Sequence, residues 1–476
     1  MSNTDTSVTA INRAESLLRE SPYQGYTYSY PHKTAYRVFD QPVALSDLWA
    51  TEKQSSLFLY LHVPFCEHRC GFCNLFTQAN PEAGLTQRYL RQISDEASQV
   101  RRALDSNATF GQLAIGGGTP TFLSARELET LLKICQTMGA DGTSIPVSVE
   151  VSPATVDDEK LSMLAEFGTD RVSIGIQSFD EAEAHRLGRP QKRHDVEFAL
   201  SEIRRHRFPI LNIDLIYGGE GQSTEQWMKC VQEALRWKPE ELYLYPLYVR
   251  PLTGLGRLER SWDDQRLEAY RAAREFLLAS EYEQVSMRMF RRLKTDQGES
   301  SHQSCRDQES AATGIQRAGV ASDSKPDPQY RCQSDGMIGL GCGARSYTAS
   351  LHYSTEFAVG RQGVRSILMD YLNRPVDSFS MARYGFRLSI EEQRRRFLIL
   401  GLLQTSGLKR SEYRGRFGSE VLEHFPELAA LNEAGLIETT DGTICLTEPG
   451  LERSDAIGPW LYSEPVQSLM KDFDLQ

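Results

Sequence analysis

The sequence contains no long hydrophobic run. Its longest apolar stretch extends from Phe397 to Leu403, far short of the roughly 20 apolar residues that a membrane-spanning helix needs. The N-terminal segment from Met1 to Glu20 is polar and lacks the apolar core of a signal peptide. We therefore expect a soluble, cytoplasmic protein with no membrane partner.

An excess of positive charge is also missing. The chain has 53 lysines and arginines against 64 aspartates and glutamates, which gives a formal net charge of -11 at pH 7. Without a global positive field, a protein has little attraction for a phosphate backbone. The composition therefore predicts no nucleic-acid partner.

The cysteines do not form the pattern of a disulfide framework. There are nine of them, an odd number spread over 476 residues, and no secretion signal accompanies them. Such usage points to thiol or metal chemistry rather than to structural disulfides.

Six short apolar segments alternate with longer segments of helical periodicity. The predicted strands are Leu57–Val63, Gln112–Ile115, Val147–Val151, Arg171–Ile176, Leu211–Ile216 and Leu242–Leu247. Strands that alternate with crossover helices form a parallel sheet. The pattern predicts an α/β protein built on a partial (β/α)6 TIM-type barrel.

Changes in composition divide the chain into five predicted domains or segments. These are an N-terminal extension (1–55), the barrel (56–292), a polar insertion (293–329), a glycine-rich segment that completes one side of the barrel (330–374), and a C-terminal domain (375–476). The insertion is poor in apolar residues, so we expect it to be mobile. The C-terminal domain reads as helices followed by a hairpin that turns at Asp441-Gly442, an order that resembles a winged helix.

Three of the cysteines are clustered directly after the first predicted strand. Cys66, Cys70 and Cys73 have the spacing CxxxCxxC, which lets three thiolates bind one iron–sulfur cube and leaves the fourth iron without a protein ligand. A structural zinc site is the alternative, and His62 or His68 would be its fourth ligand. A loop that follows a barrel strand is where barrel active sites lie, which favours the iron–sulfur interpretation.

The cysteine motif stands in a series of ordered strings: YLHVPFC, GGGTPT, VEVSPAT, RVSIGIQSFD, NIDLIYG and GLGCGARSY. This series resembles the radical S-adenosylmethionine (SAM) superfamily, and within it the oxygen-independent coproporphyrinogen III dehydrogenases (HemN) and the haem chaperone HemW. The resemblance covers about residues 57 to 350 and extends more weakly into the C-terminal domain. It implies a [4Fe–4S] cluster on the three cysteines, SAM as cofactor, and a reductant protein such as flavodoxin or ferredoxin.

The resemblance also implies a set of SAM contacts. They are Tyr60, Phe72, Gly117, Gly118, Thr119, Glu150, Gln177, Arg189 and Asp214. Phe72 matches the aromatic residue that lies against adenine, and Arg189 matches the arginine that contacts a SAM carboxylate. Gln177 and Asp214 are polar residues at the carboxyl ends of predicted strands, where they either contact ligand or are satisfied within the protein.

The number of SAM molecules stays open between one and two. Tyr60, Gly117, Glu150 and Arg345 fall at or near positions that contact a second SAM in coproporphyrinogen dehydrogenase. Arg345 stands where that family has an apolar residue.

The resemblance implies a radical SAM oxidoreductase or methyltransferase that acts on a small organic, tetrapyrrole-like substrate by oxidation or methyl transfer. The alternative is a haem-binding or haem-delivery protein of the HemW type, without turnover of a small substrate. Leu75 replaces a further cysteine of the dehydrogenases, and the stretch from Tyr330 to Asp335 lacks the HNxxYW haem-binding pattern of the chaperones. Tyr243, Tyr245 and Tyr248, together with Arg250, either line a pocket for a flat or carboxylated substrate or pack within the barrel.

Overall fold

The computed structural model describes residues 13–258, 264–293 and 336–475. Its strands are β1 (Arg37–Ala44), β2 (Leu57–Val63), β3 (Phe65–Cys66), β4 (Gln78–Ala79), β5 (Phe110–Gly117), β6 (Val147–Val151), β7 (Arg171–Gln177), β8 (Ile210–Tyr217), β9 (Glu241–Pro246), β10 (Tyr282–Gln284), β11 (Met289–Arg292), β12 (Met337–Leu340), β13 (Arg345–Tyr347), β14 (Leu351–Ser354), β15 (Met381–Arg387), β16 (Leu408–Lys409), β17 (Ile437–Thr439) and β18 (Thr443–Leu446). Its helices are α1 (Leu45–Trp49), α2 (Leu85–Ala103), α3 (Ala125–Met138), α4 (Asp158–Phe167), α5 (Glu181–Arg186), α6 (Arg193–Arg205), α7 (Thr224–Arg236), α8 (Arg266–Ala279), α9 (Arg361–Leu372), α10 (Ile390–Leu402), α11 (Arg410–Phe417), α12 (Val421–His424), α13 (Leu428–Glu433), α14 (Glu448–Leu451), α15 (Ser454–Trp460) and α16 (Glu464–Lys471). Apart from Leu293, the polar insertion expected to be mobile lies outside these residues.

The chain divides into two compact units. The barrel unit comprises residues 33–269, 325–389 and 468–476, and the C-terminal unit comprises residues 1–32, 270–324 and 390–467. Within the described residues, no helix is both long enough and apolar enough to cross a membrane.

The barrel unit is built on six parallel strands in the order β2-β5-β6-β7-β8-β9. Each of the six predicted strands is present, with ends that differ by two residues at most from those predicted. On the other side of β2, strand β12 pairs in parallel, with Gly339 opposite Tyr60. Strands β13, β14, β15 and β1 continue the sheet in antiparallel pairing. The α/β fold class and the partial barrel are confirmed.

The two faces of these parallel strands differ in chemistry. Residues at one set of alternate positions are aliphatic and fully buried, as at Leu59, Leu61 and Leu113. The intervening positions include Tyr60 and Asp214, which are partly exposed. The interior of a TIM-type barrel is ordinarily filled by branched aliphatic side chains. Here the inner face carries partly exposed polar side chains, and we call the space that it borders the lumen.

A buried carboxyl group in the barrel unit gives a first testable prediction. Glu96 on α2 accepts hydrogen bonds from the Tyr371 hydroxyl and the Gly341 amide, both at 2.7 Å. Burial raises the pKa of Glu96 from 4.5 to about 7, against the opposing effect of these hydrogen bonds. Because the folded state disfavours the ionised form, the stability that this carboxyl contributes at low pH is lost as the pH rises through about 7. We expect wild-type protein to lose about 1–3 kcal/mol of unfolding free energy between pH 5 and 8.5 through this group.

The measurement is urea denaturation of wild type and Glu96→Gln across that pH range. The glutamine keeps the hydrogen-bonding shape and cannot ionise, so its profile should be flatter by the same amount. An equal pH dependence in both proteins would contradict the assignment.

The C-terminal unit combines short helices with a small antiparallel sheet in the order β16-β18-β17. Strands β17 and β18 form the hairpin that the sequence predicts, with Thr439 opposite Ile444 and the turn at Asp441-Gly442. Helices α10 to α13 precede this hairpin in the chain, so the helix-then-hairpin order is also present.

A buried ion pair in the C-terminal unit gives a second prediction. The Arg288 guanidinium pairs with Asp455, and the two side chains are 6 % and 2 % exposed. The guanidinium also lies over the Tyr26 ring at 3.8 Å. Removing one partner leaves a buried charge uncompensated, so Arg288→Met should lower the free energy of unfolding by about 3–5 kcal/mol.

The matched control is Arg193→Met, which removes an exposed pair with Glu197 and should cost less than about 1 kcal/mol. The double variant Arg288→Met/Asp455→Leu should recover most of the lost stability, because it leaves no charge behind. Equal urea midpoints for Arg288→Met and Arg193→Met would contradict this account.

Candidate functional site

The three clustered cysteines lie on one loop that leaves the carboxyl end of β2. Short strands β3 and β4 pair in parallel and close the base of this loop. Within it, the Cys73 amide donates to the Cys70 carbonyl at 3.1 Å. A compact loop held at its base can present three side chains to one ligand.

Each of the three thiols is partly exposed and has a polar neighbour. Thr119 Oγ1 lies 3.7 Å from Cys66 Sγ, and Thr77 Oγ1 lies 3.7 Å from Cys73 Sγ. Burial raises the pKa of the Cys66 thiol to about 12, and the neighbouring sulfurs of Cys70 and Cys73 raise it further against the Thr119 hydrogen bond. Buried thiols such as Cys66, whose thiolate form is disfavoured by its surroundings, suit a site where a metal centre supplies the compensating charge.

The spacing of the sulfurs bears on the zinc alternative. Within the described part of the chain, the group of three potential ligand atoms that lie within 4.8 Å of one another is Asp158, Glu202 and His206, and the cysteine sulfurs form no such group. Ligands of one zinc ion, at about 2.3 Å from the metal, must be closer together than that. His62 is also engaged, because its Nε2 donates to the Phe76 carbonyl at 2.9 Å. The described structure therefore offers neither a close sulfur group nor a free His62 as ligands for a single zinc ion.

Arg189 joins the cysteine loop to the strand ends. Its guanidinium donates to Cys70 Sγ at 3.3 Å, to the Gly175 carbonyl at 2.6 Å and to Ser152 Oγ at 3.2 Å. Gln191 Oε1 accepts from its Nε at 2.9 Å. The side chain is only 8 % exposed. Arg189 is therefore fixed beside one predicted cluster ligand.

The glycine turn packs directly on the cysteine loop. The Gly118 amide donates to the Val63 carbonyl at 2.7 Å, and the Thr119 amide donates to the Phe65 carbonyl at 2.8 Å. Gly117 has φ of +110°, and a Cβ there would overlap the His62 ring. A Cβ on Gly118 would lie 3.0 Å from Cys66 Sγ. The glycines are thus required for close approach of the turn to the first cysteine.

Two carboxyl groups border the lumen beyond the glycine turn. Glu150 Oε2 accepts from the Gly117 amide at 3.0 Å, and its side chain is exposed to the lumen. The surrounding protein raises the pKa of Glu150, and the nearby Asp214 raises it further. Burial likewise raises the pKa of Asp214, against the attraction of Arg171. A cationic ligand group in the lumen would stabilise both carboxylates.

Gln177 occupies a strained position at the end of β7. Its φ is +70°, and the pairing of β7 with β8 shifts register between Gly175 and Gln177. A Cβ on Gly175 would lie 2.8 Å from Gln177 Nε2, so the side chain folds back over that glycine. Strained backbone of this kind persists where the surroundings fix it, often at functional sites.

The two remaining predicted contacts flank the cysteine loop. The Tyr60 hydroxyl lies 3.3 Å from His62 Nδ1 on β2, two residues along the strand. Phe72 lies within the loop and packs against the buried cluster of Leu187, Ile216 and Leu247. Tyr243 and Tyr245 stack with ring centroids 5.8 Å apart and are partly exposed on the inner face.

Sequence reasoning missed Lys33 and Arg171. Arg171 on β7 pairs with Glu241 on β9 at 2.7 Å and donates to Ser148 Oγ on β6 at 3.1 Å. Lys33 is influenced electrostatically by Cys73. The string YPHKTAYR at 30–37 was the available signal for Lys33, but nothing in that string shows that it lies beside the cysteine loop.

The chain matches two family models. Residues 60–234 match the Radical SAM superfamily, and residues 388–452 match the HemN C-terminal domain. The first match includes the cysteine loop, the glycine turn and the strand ends that border the lumen. The chain thus contains a Radical SAM domain and a HemN C-terminal domain.

Named relatives are similar along most of the chain. The heme chaperone HemW of Bacillus subtilis is 26 % identical over 82 % of this chain and 95 % of its own. The oxygen-independent coproporphyrinogen III oxidase of Pseudomonas aeruginosa is 27 % identical over 91 % of this chain and 92 % of its own. The structure of coproporphyrinogen III oxidase (HemN) from Escherichia coli has the same fold, with a TM-score of 0.74, 22 % identity, and coverage of 92 % of this chain and 96 % of that one. The chain thus carries Radical SAM and HemN C-terminal domains and is similar to HemN and HemW proteins, and the Radical SAM match implies a [4Fe–4S] cluster and SAM.

Proposed function

We propose that the chain is a radical SAM enzyme that holds a [4Fe–4S] cluster on Cys66, Cys70 and Cys73 and binds SAM in the adjoining lumen. The observation that carries this proposal is the convergence of three thiols, a glycine turn and Arg189 at the mouth of a polar space. A protein that used these parts only for structure would have no need of an open, charged interior.

Side chains of opposite charge would bind different groups of SAM. Glu150 and Asp214 offer carboxylates to the ammonium and sulfonium groups of SAM, and Arg189 offers a fixed guanidinium to its carboxylate. When bound and reduced, the cluster and SAM together supply a 5′-deoxyadenosyl radical that removes a hydrogen atom from a substrate. Phe72, Gly118, Thr119, Gln177 and Tyr60 would complete the SAM site by packing and hydrogen bonding.

The substrate that we propose is a small, flat organic molecule of the tetrapyrrole type. The stacked Tyr243 and Tyr245 present ring faces on the inner side of the sheet, where a planar ligand can pack. The similarity to coproporphyrinogen III oxidases supports the same class of substrate. Oxidation and methyl transfer are the two outcomes of such a reaction, and product analysis separates them. The electron donor would be a small reductant protein such as a flavodoxin or ferredoxin, in the cytoplasm.

Haem binding without turnover is the second candidate. It is favoured by the similarity to a heme chaperone over nearly that protein's whole length. In this case haem binding would persist when the cluster cysteines are replaced.

The experiment that separates these functions is anaerobic cluster reconstitution, followed by reduction with dithionite in the presence of SAM. The enzyme should form 5′-deoxyadenosine and methionine, and formation of S-adenosylhomocysteine as well would identify methyl transfer. Absence of 5′-deoxyadenosine above the level of a protein-free reaction, together with stable haem binding, would overturn the proposal in favour of haem delivery.

A further inference from the structure

Three glycines meet on the solvent side of the cysteine loop. Gly71, which follows Cys70, is buried. A Cβ on Gly188 would lie 2.7 Å from the Gly71 nitrogen, and a Cβ on Gly254 would lie 3.0 Å from the Gly71 Cα. Gly188 and Gly254 are exposed, so little more than backbone covers this part of the loop. We call Gly71, Gly188 and Gly254 the glycine contact.

Two hydrogen bonds of Gly71 fasten neighbouring segments to the cysteine loop. The Gly71 amide donates to the Leu187 carbonyl at 3.0 Å, and the Gly71 carbonyl accepts from the Leu255 amide at 2.7 Å. Leu187 directly follows α5, and Leu255 begins a short 3-10 helix, Leu255–Arg257. The ends of α5 and of this 3-10 helix are therefore fixed on either side of the loop.

Each of these three segments carries an arginine. Arg69 lies on the cysteine loop, Arg186 ends α5, and Arg257 ends the 3-10 helix. Arg186 and Arg257 are exposed, and Arg69 is partly exposed and donates to the Cys73 carbonyl at 3.3 Å. Within the described part of the chain, none of the three forms an ion pair, and Glu67 on the same loop does not pair with them. Their charges are therefore available to an acidic partner.

A shallow groove joins the ends of α5 and the 3-10 helix. Leu258 lies at its edge and is 49 % exposed. Glu183 is buried and accepts hydrogen bonds from Ser178 and Gln222 rather than from an arginine. The lining includes Arg186, Leu187, Leu255, Leu258, Glu183 and Glu220. An exposed leucine among charged side chains gives the apolar centre and polar rim of a protein interface.

An electron donor for the predicted cluster has to approach from this side. SAM and the substrate would occupy the lumen, which a donor protein is too large to enter. Electron transfer slows steeply with distance, so a thin backbone cover favours it. Electron-transfer encounters use small interfaces and depend on charge complementarity for their rate. Because the chain has a net charge of -11, an acidic donor needs a local positive patch to be oriented.

We propose that the glycine contact and its rim of Arg69, Arg186 and Arg257 form the docking surface for a small acidic reductant protein. The proposal rests on the function proposed above and adds where the donor binds. In each encounter one electron passes from the reduced cofactor of the donor to the cluster. The cluster is thereby reduced by one electron, and the donor is oxidised by one.

The test measures the rate at which a reduced flavodoxin reduces the cluster of the reconstituted holoprotein, followed by rapid-freeze EPR without SAM. The double variant Arg186→Glu/Arg257→Glu should lower this rate by about 10-fold or more at low ionic strength. The wild-type rate should fall as sodium chloride rises from about 20 mM to about 300 mM, and the rate of the variant should not. SAM cleavage driven by excess dithionite should be equal in the two proteins.

The matched control is Arg102→Glu/Arg126→Glu. It makes the same change in net charge at exposed positions of α2 and α3, and it should keep more than about half of the wild-type rate of reduction by flavodoxin.

Four outcomes would overturn the proposal. An equal loss in the two double variants would mean that net charge acts, whatever its position. A loss of dithionite-driven SAM cleavage in Arg186→Glu/Arg257→Glu would place the two arginines in the service of SAM or the cluster. An unchanged rate in that variant, or a wild type that dithionite reduces and flavodoxin does not, would also contradict the docking surface. Because cluster reduction is read without SAM, its loss and the failure of SAM cleavage are distinguishable.

Discussion

Replacing Cys70 by alanine should reduce 5′-deoxyadenosine formation to the level of a protein-free reaction. Cys70 is one of the three thiols available to the cluster, and Arg189 donates to its sulfur at 3.3 Å. With two thiolates remaining, a cube of four irons loses a ligand as well as the positioned arginine contact. Iron and sulfide content after anaerobic reconstitution, followed by quantification of 5′-deoxyadenosine, measures the effect.

Cys135→Ala is the matched control. Cys135 is a free, fully buried thiol on α3, and it is not among the predicted ligands. This variant should keep wild-type iron content and SAM cleavage. Equal loss in the two variants would mean that thiol removal acts through folding, and full activity of Cys70→Ala would remove Cys70 from the site.

Gly117→Ala should lower SAM cleavage by about 100-fold or more, because the alanine Cβ displaces the turn that contacts the cysteine loop. The backbone φ of +110° alone costs an alanine about 1–2 kcal/mol. The new Cβ would also overlap the His62 ring, which is held at both nitrogens by Tyr60 and Phe76. Relief of this overlap moves either the histidine or the turn that carries the Glu150 contact.

The control variant Gly139→Ala separates the effect of backbone strain from the effect of the Cβ overlap with the His62 ring. Gly139 ends α3 with φ of +91°, and a Cβ there would have no atom within 4 Å. This variant should lose about 1–2 kcal/mol of stability and keep SAM cleavage. The comparison uses urea denaturation together with SAM cleavage, and equal cleavage by Gly117→Ala and Gly139→Ala would contradict the role assigned to the turn.

The barrel strands were predictable because each is a short, largely apolar run bounded by polar or glycine-containing turns. Val147–Val151 and Leu57–Val63 have the predicted ends for this reason. Two other strands end one or two residues later than predicted, because Gln177 and Gly117 continue the strand pairing. The hairpin at Asp441-Gly442 was predictable from its turn residues.

Only the site residues that lie within the sequence motifs were predictable, and the contacts between them were not. The resemblance identified Arg189, but its contact with Cys70 joins residues 119 positions apart and depends on the packing of two loops. The sequence alone does not decide whether Tyr243 and Tyr245 line a pocket or pack within the barrel. The structure shows that their rings stack and are partly exposed.

The polar character of the lumen also had a weak sequence signal. One charged residue in an apolar strand, as at Glu150, indicates a polar contact but not what surrounds it. Several neighbouring strands contribute polar residues to the same face, and alternation along each strand gives no information about its neighbours in the sheet. The lumen appears only when parallel pairing aligns these positions.

The most direct test of the central claim is Mössbauer spectroscopy of protein reconstituted with 57Fe, recorded without and with SAM. If three cysteines hold a [4Fe–4S] cluster, the fourth iron has no protein ligand, and SAM should change the signal of one iron in four while the other three keep theirs. The same spectrum with and without SAM, or a purified protein whose cysteines hold zinc and no iron after reconstitution, would contradict the account.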